Sequence, residues 1–343
     1  MTADNNTEPN PHQGSSNNAV EVLETPTERW RIRIFSEFGI LMVLILMVVA
    51  IGIINPSYIS ISTLANLGQR ASLFGIIALG MVFLLSMGEI DLSVGSMYAL
   101  TINAAGALMM NGMDPWIAAL LGVLLGTALG AFNGLIANIL KISVIIVTLG
   151  TMSMYRGLTL VVTGGTTLWG LPREHPFFAV LGGKPFGIPF VLWVFIFLTI
   201  ILSIVFRSTR YGFVIRAIGS NRQAARLSGI PIPTIRLITL MMVGTLAGIS
   251  GMMTLAFFAT GDPTLGGGYE LLAIAAAIIG GTPLTGGSGT VFGAFIGAFV
   301  IAVIGSGIVQ FGVSANWSIF VTGAMIITAV ALDAFIRRRQ ANS

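Results

Sequence analysis

"SNRQAARLSGIP", residues 220–231, carries two arginines in a chain that is 55% hydrophobic and only 9% charged. Its flanks add Arg207, Arg210, Arg216 and Arg236, so six arginines gather between two apolar runs. Read alone, the stretch is a short helix. Ser220 and Gln223, three residues apart, form a capping box in which the serine oxygen accepts an amide hydrogen bond. Gly229 suits the position just past a helix end, and Pro231 cannot continue the helix. The helix spans 221–228, about two turns and roughly 12 Å. It is too short to be stable alone and too charged to cross a membrane. Its surroundings decide its meaning.

Those surroundings are membrane-like. A mean hydropathy of +0.92 with 43 glycines belongs to multi-span membrane proteins rather than soluble domains. A bilayer core of roughly 30 Å takes about 20 helical residues per crossing. Apolar runs at 37–54, 71–88, 96–111, 116–139, 142–163, 189–206, 237–260, 270–282, 290–311 and 317–335 predict an all-α polytopic fold of about ten transmembrane helices. The 96–111 and 270–282 runs fall short of a full crossing and are expected to be broken or tilted. Short links marked by Pro, Asp or Gly join several of them: "NPSY", "MDPW", "GDPTLGGGYE" and "TPLTGGSG".

Charge sets the orientation. With the N-terminus inside, Arg29, Arg31, Arg33, Lys141, the six arginines of 207–236 and Arg337–Arg339 place thirteen basic residues on the inner side. Arg70, Arg173 and Lys184 place three outside, and Arg156 lies within a span. Lys and Arg favour the cytoplasmic side, so an even number of crossings with both termini cytoplasmic is expected. Residues 1–28 are polar, without an apolar run, and read as a disordered cytoplasmic tail. Residues 29–343 then form the transmembrane domain, with 207–236 as its long cytoplasmic loop. The outer loop near 164–188 is rich in Trp, Phe and Pro, which suits an element lying on the membrane face or an ordinary aromatic belt.

"GEIDLSVGSMYAL" from Gly88 resembles "GDPTLGGGYELLA" from Gly261, and "GAFNGLI" from Gly130 resembles "GAFIGAF" from Gly293. Members of each pair sit on opposite sides of the membrane or cross it in opposite senses. That is the signature of an inverted repeat; chance matching in a Gly- and Ala-rich chain is the other reading. Gly122, Gly126, Gly130 and Gly134 recur at four-residue spacing, which lets helix backbones approach closely.

Several chemistries are excluded or unsupported. The chain has no cysteine and two histidines, His12 in the tail and His175 in a loop. "TGGSGT" at 285–290 lacks the lysine of a phosphate-binding loop and reads as a turn. Neither an enzymatic site nor a cofactor is expected, and the charge distribution reports topology rather than nucleic acid. Charges near spans are costly and so informative. Glu89, Asp91 and Ser93 read either as gate or path residues or, for Asp91 and Ser93, as a helix cap after a tight turn. Arg156 pairs structurally or lines the path. Asn103, with Asn133, Asn138, Thr148 and Thr151, bonds a polyol or neighbouring helices.

"QAARLSG" resembles the E-A-A-x-x-x-G coupling motif of ABC importer permeases, with Gln223 in place of Glu. "YGFVIRAIGSNRQAARLSGI", "GEIDLSVGS" and "IVTLGTMSMYRG" resemble the ribose/xylose/arabinose-type permease subunits, over about 37–336. The resemblance implies ATPase-coupling roles for Ser220, Asn221, Gln223, Ala224, Ala225 and Gly229. It also implies two ABC ATPase subunits, an extracytoplasmic sugar-binding protein and a second permease subunit, identical or a close paralogue, in the lipid of a bacterial cytoplasmic membrane. Glu89 stands where the pattern usually has Gly. The expected function is membrane passage of a monosaccharide, pentose or hexose, driven by ATP hydrolysed on the partner. Alternatives are a nucleoside, cyclitol, signalling furanose or branched-chain amino acid, or an ion-coupled secondary transporter using Glu89, Asp91, Glu270 or Asp333.

Deleting residues 2–26 retains Arg29, Arg31 and Arg33, so insertion and orientation should survive. Protease accessibility of the truncated chain in vesicles checks this; inversion or loss of insertion would show that the tail directs topology.

Overall fold

A helix that is apolar on every side is stable only when every side is covered. Such a helix, α2 (Ile61–Ser86), is buried continuously from Ala71 to Met87 and forms the centre of the bundle. The computed structural model describes residues 26–310 and scattered positions between 314 and 331, with side chains placed from Phe38 onward. Residues 1–25 of the expected tail and most of the tenth apolar run, with Asp333 and Arg337–Arg339, lie outside the described residues, while the last three residues of that tail, 26–28, are helical as the start of α1.

The remaining helices are α1 (Pro26–Ile54), α3 (Val94–Met110), α4 (Pro115–Leu140), α5 (Val144–Thr163), α6 (Pro176–Leu181), α7 (Phe190–Ser208), α8 (Arg210–Ser220), α9 (Arg222–Leu227), α10 (Ile232–Phe258), α11 (Tyr269–Ile279) and α12 (Val291–Gln310). Six of them (α2, α4, α5, α7, α10 and α12) are long and apolar enough to cross a membrane. α3, α11 and the Phe38–Ile54 part of α1 are apolar but shorter. The fold is therefore all-α and polytopic. Most expected boundaries agree within about two residues. α2, however, starts ten residues earlier than its apolar run, because Ser60 caps it by accepting the Thr63 amide at 3.3 Å. α10 likewise starts five residues early, with Pro233 tolerated in its first turn.

Two helices meet backbone to backbone. A Cβ on Gly126 of α4 would overlap the Gly244 carbonyl of α10, and one on Gly244 would overlap the Gly126 carbonyl. Gly130 lies equally close to the Leu240 carbonyl, and Gly134 faces Leu237 less tightly, through its side chain and Cα. Where lipid supplies no hydrophobic drive, this close approach replaces it with dispersion contact.

The packing is reciprocal. α10 lies against α4 and α3, while α2 lies against α12 and α11. The first helix of each three-helix set thus packs on the last and second helices of the other. Each set also has an irregular segment between its first two helices, at 87–93 and 259–268, where the "GEIDLSVGS" and "GDPTLGGGYE" matches fall. The order of these contacts is the one an inverted repeat would require. The second match is not equivalent in contact: Gly130 packs on α10, whereas Gly293 packs on Gly280 at the end of α11.

Gly126→Val should force α4 and α10 apart and lower stability by about 1–3 kcal/mol. Gly150→Ala, where an added Cβ meets nothing within 4 Å, should be neutral. Thermal unfolding of the two variants in detergent compares them directly.

Candidate functional site

Irregular backbone inside an apolar bundle survives only if its polar groups find partners in the protein. The 259–268 segment solves this with two side chains expected from sequence. Arg156 of α5 donates from Nη1 to the carbonyls of Pro263 (2.6 Å) and Leu265 (2.9 Å). Asn103 of α3 donates from Nδ2 to the Asp262 carbonyl at 3.2 Å and to Ala99 at 2.8 Å. Gly261 exchanges backbone hydrogen bonds with Leu168, in the stretch between α5 and α6. At its other end Gly266 touches Gly95, so the segment runs back along α3 before α11 begins. Arg156 is thus a carbonyl clamp, with the Glu270 carboxylate near enough to attract it.

The 87–93 segment is tied differently. The Asp91 carboxylate accepts from the Ser93 amide at 2.7 Å and from the Ser93 hydroxyl at 2.6 Å. Asn133 of α4 donates to Ser93 Oγ at 2.8 Å, and Tyr155 of α5 donates to Asn133 Oδ1 at 2.9 Å. Thr148 accepts the Leu92 amide at 3.2 Å. Asp91, Ser93, Asn133 and Thr148 are fully buried. Ser93 occupies the cap position of α3 but makes no side-chain cap bond, because its hydroxyl serves Asp91. Neither expected cap therefore forms: Asp91 closes a turn on the amide of Ser93, and no amide of α3 is bonded by either side chain.

At the end of α2 the chain turns through Gly88 (φ 73°), and Glu89 follows. Its Oε1 accepts from Arg222 of α9 at 2.9 Å and from Arg236 of α10 at 2.7 and 2.8 Å. Arg236 also donates to Asn138 of α4 at 3.0 Å. These groups line a cavity of about 430 Å³ together with Lys141, Arg226 and Ser143.

The short helix at this end is α9. Its cap is Asn221, whose Oδ1 accepts the Ala224 amide at 2.9 Å; the expected Ser220–Gln223 capping box does not form. Helix α8 runs through Ser220, which gives that residue helical backbone and leaves the extended cap conformation to Asn221 (φ −154°, ψ 99°). Gly229 has φ 78°, with Gly229 N bonded to Arg226 O and Ile230 N to Ala225 O, a Schellman closure. Ala225 is buried, while Asn221, Gln223, Ala224 and Gly229 are exposed. Beneath α9, Gly219 and Ser220 pack on the 285–289 turn, and Ser86 of α2 accepts the Gly287 amide at 2.9 Å. "TGGSGT" is a packed turn.

Across residues 63–330 the sequence matches a family described as the permease component of a branched-chain amino acid transport system. The chain belongs to this permease family. It is 35% identical to a ribose import permease protein of Bacillus subtilis (strain 168), over 92% of this chain and 98% of that protein. It is 33% identical to a D-allose transport system permease protein of Escherichia coli (strain K12), over 89% of this chain and 93% of the relative. A third relative, the autoinducer 2 import system permease protein of Enterobacter sp. (strain 638), is 33% identical over 83% of this chain and 82% of its own length. No solved structure gives a significant match. The chain is accordingly a multi-pass membrane protein of a transport system.

Three of the permease's polar groups involve the expected site residues: Asn103 and Arg156 on the 259–268 segment, Asp91 with Ser93, and Glu89 with Arg222 and Arg236. Sequence reading named Asp91, Ser93 and Asn133 without joining them, and it missed the arginines that hold Glu89. A buried acid among six loop arginines was the available signal for Glu89. Tyr155 carried none, since its spacing is that of an ordinary helix-facing residue. Among the described residues no group of three metal-ligating side chains occurs.

The permease's α9 should depend on Asn221. Asn221→Ala should cost about 1 kcal/mol locally and speed amide exchange within α9 roughly fivefold. Ser220→Ala should leave exchange there unchanged, as read by hydrogen–deuterium exchange of the two variants.

Proposed function

We propose that this permease passes a monosaccharide, a pentose or hexose of ribose-like kind, across a bacterial cytoplasmic membrane on ATP hydrolysed by a separate subunit. The observation carrying this reading is α9. It is a short helix capped at both ends that buries only Ala225 and offers Gln223, Ala224 and the Gly229 turn outward. A helix of six residues fixed at both ends but otherwise uncovered is suited to fill a groove on a partner. Ser220, Asn221, Gln223, Ala224, Ala225 and Gly229 are the proposed coupling residues, and an ABC ATPase is the proposed partner.

The sugar assignment leans on the ribose and allose permeases among the relatives. A signalling furanose is the second reading, favoured by the autoinducer permease of similar identity. An extracytoplasmic binding protein and a second permease copy or paralogue complete the proposed assembly. The excess of Lys and Arg at the α9 end supports its placement, with both termini, in the cytoplasm. Asp91, Ser93, Asn103 and Arg156 act in this reading as the clamps of two irregular segments flanking the path, with Glu89 joined to α9.

Proteoliposomes bearing the complete complex should take up ribose with ATP inside, and uptake should persist when proton and sodium gradients are collapsed. Omitting the ATPase should abolish it. Uptake by this chain alone on a gradient would establish an ion-coupled carrier instead. Gly229→Arg places a Cβ at positive φ, a conformation costing about 1–3 kcal/mol for such a residue. It should reduce uptake strongly while membrane insertion stays normal, because nothing lies within 4 Å of the added Cβ.

A further inference from the structure

A buried carboxylate is retained only when it is paired, and removing one partner of a buried pair is far more damaging than losing a surface one. Glu89 is 5% exposed, and its pairing is lopsided. Oε1 takes all three arginine contacts, from Arg222 Nη2 and from Arg236 Nε and Nη2, while the buried Oε2 has no hydrogen-bond partner. The two cations come from different parts of the fold. Arg222 is the first residue of α9, and Arg236 stands in the opening turns of α10, held also by Asn138 of α4.

For α9 this contact is singular. Among the described residues, Arg222–Glu89 is the one side-chain hydrogen bond or ion pair that joins α9 to a transmembrane helix or its loop. Leu227 is 82% exposed, and only Ala225 is buried. On the other side, Glu89 stands two residues before Asp91, whose bonds through Ser93 and Asn133 reach α4 and, through Tyr155, α5.

We propose that Glu89 is the positioning residue that carries displacement of α9 into the segment leading to α3. The inference rests on the docking reading of α9 given above. Arg236 and Asn138 form the fixed side of the junction, and Arg222 forms the moving side. The unpartnered Oε2 gives Arg222 a second acceptor on the same carboxylate, so α9 can shift without leaving a charge bare. Any larger movement pulls on residues 88–91 and alters the bonds joining α3 to α4 and α5. Two charge-assisted bonds to one rigid carboxylate transmit force, whereas lipid-facing apolar contacts slide.

The test uses the complete complex in proteoliposomes and reads ribose taken up per ATP hydrolysed. That ratio is insensitive to how much protein is folded, so a purely structural role would not move it. Glu89→Gln keeps size and removes the charge; Arg222→Gln removes the moving partner and leaves Glu89 paired with Arg236. Each should lower uptake per ATP at least about fivefold. The double variant should be no worse than the poorer single, because both act on one junction. An unchanged ratio in either single, or a double equal to the product of the singles, overturns the proposal. If Glu89→Gln does not insert, Arg222→Gln decides alone by the same criterion. Failure of the docking reading looks different: Gly229→Arg would then keep full uptake. Failure of the junction alone would leave Gly229→Arg defective and the Glu89 and Arg222 variants fully coupled.

Discussion

Everything in this bundle depends on satisfying peptide groups where no water can do so. Regular helices manage it internally, but the chain leaves helical geometry between packed helices at 87–93 and 259–268. Each departure is held by its own turns and by side chains from neighbouring helices. The cost of an unpaired buried peptide group is large enough that these side chains cannot be optional. Asn103 and Arg156 answer three carbonyls of one segment. Asp91 and Thr148 answer the amides of Ser93 and Leu92 in the other. Polar residues that could have been a sugar site are, first of all, the backbone's partners.

The two segments differ in chemistry in a way that suits their surroundings. Two carbonyls of 259–268 face the Arg156 guanidinium and a third faces Asn103, while in 87–93 the Ser93 amide turns to the Asp91 carboxylate and the Leu92 amide to the Thr148 hydroxyl. A charge thus stands beside each segment, Arg156 for the first and Asp91 for the second. Neither charge is spent on an ion pair with the other, so each local arrangement stands by itself. The reciprocal packing of α2–α4 with α10–α12 puts one such segment in each half.

Much of this was legible in the sequence. Hydropathy located the spans because a crossing helix must be apolar over a fixed length, and Gly229 announced its positive φ because few other residues tolerate one. α8 was not legible: "YGFVIRAIGS" contains two glycines and reads as loop, yet burial of Ile215 and Ile218 against the bundle overrides weak local propensity. Missing α8 moved the cap of α9 by one residue, from Asn221 to Ser220. The start of α2 was hidden for a similar reason, since Thr63, Asn66, Gln69 and Arg70 dilute the apolar signal of a helix that already exists there. The charged junction at Glu89 needed three dimensions, because its arginines lie 133 and 147 residues away in sequence.

The glycine contact between α4 and α10 has a mechanical corollary. Side chains that interdigitate can change rotamer and let two helices slip; two backbones in direct contact have no rotamers to change. α4 and α10 therefore behave as one beam, along which shear is forbidden and only rigid rotation is allowed. Asn138 and Arg236 bolt that beam at one end. On α5, by contrast, Gly150 and Gly157 meet nothing within 4 Å, and that helix is joined to its neighbours through the side chains of Thr148, Tyr155 and Arg156 instead. A joint made of side chains can be re-made in another rotamer, which the backbone joint of the beam cannot.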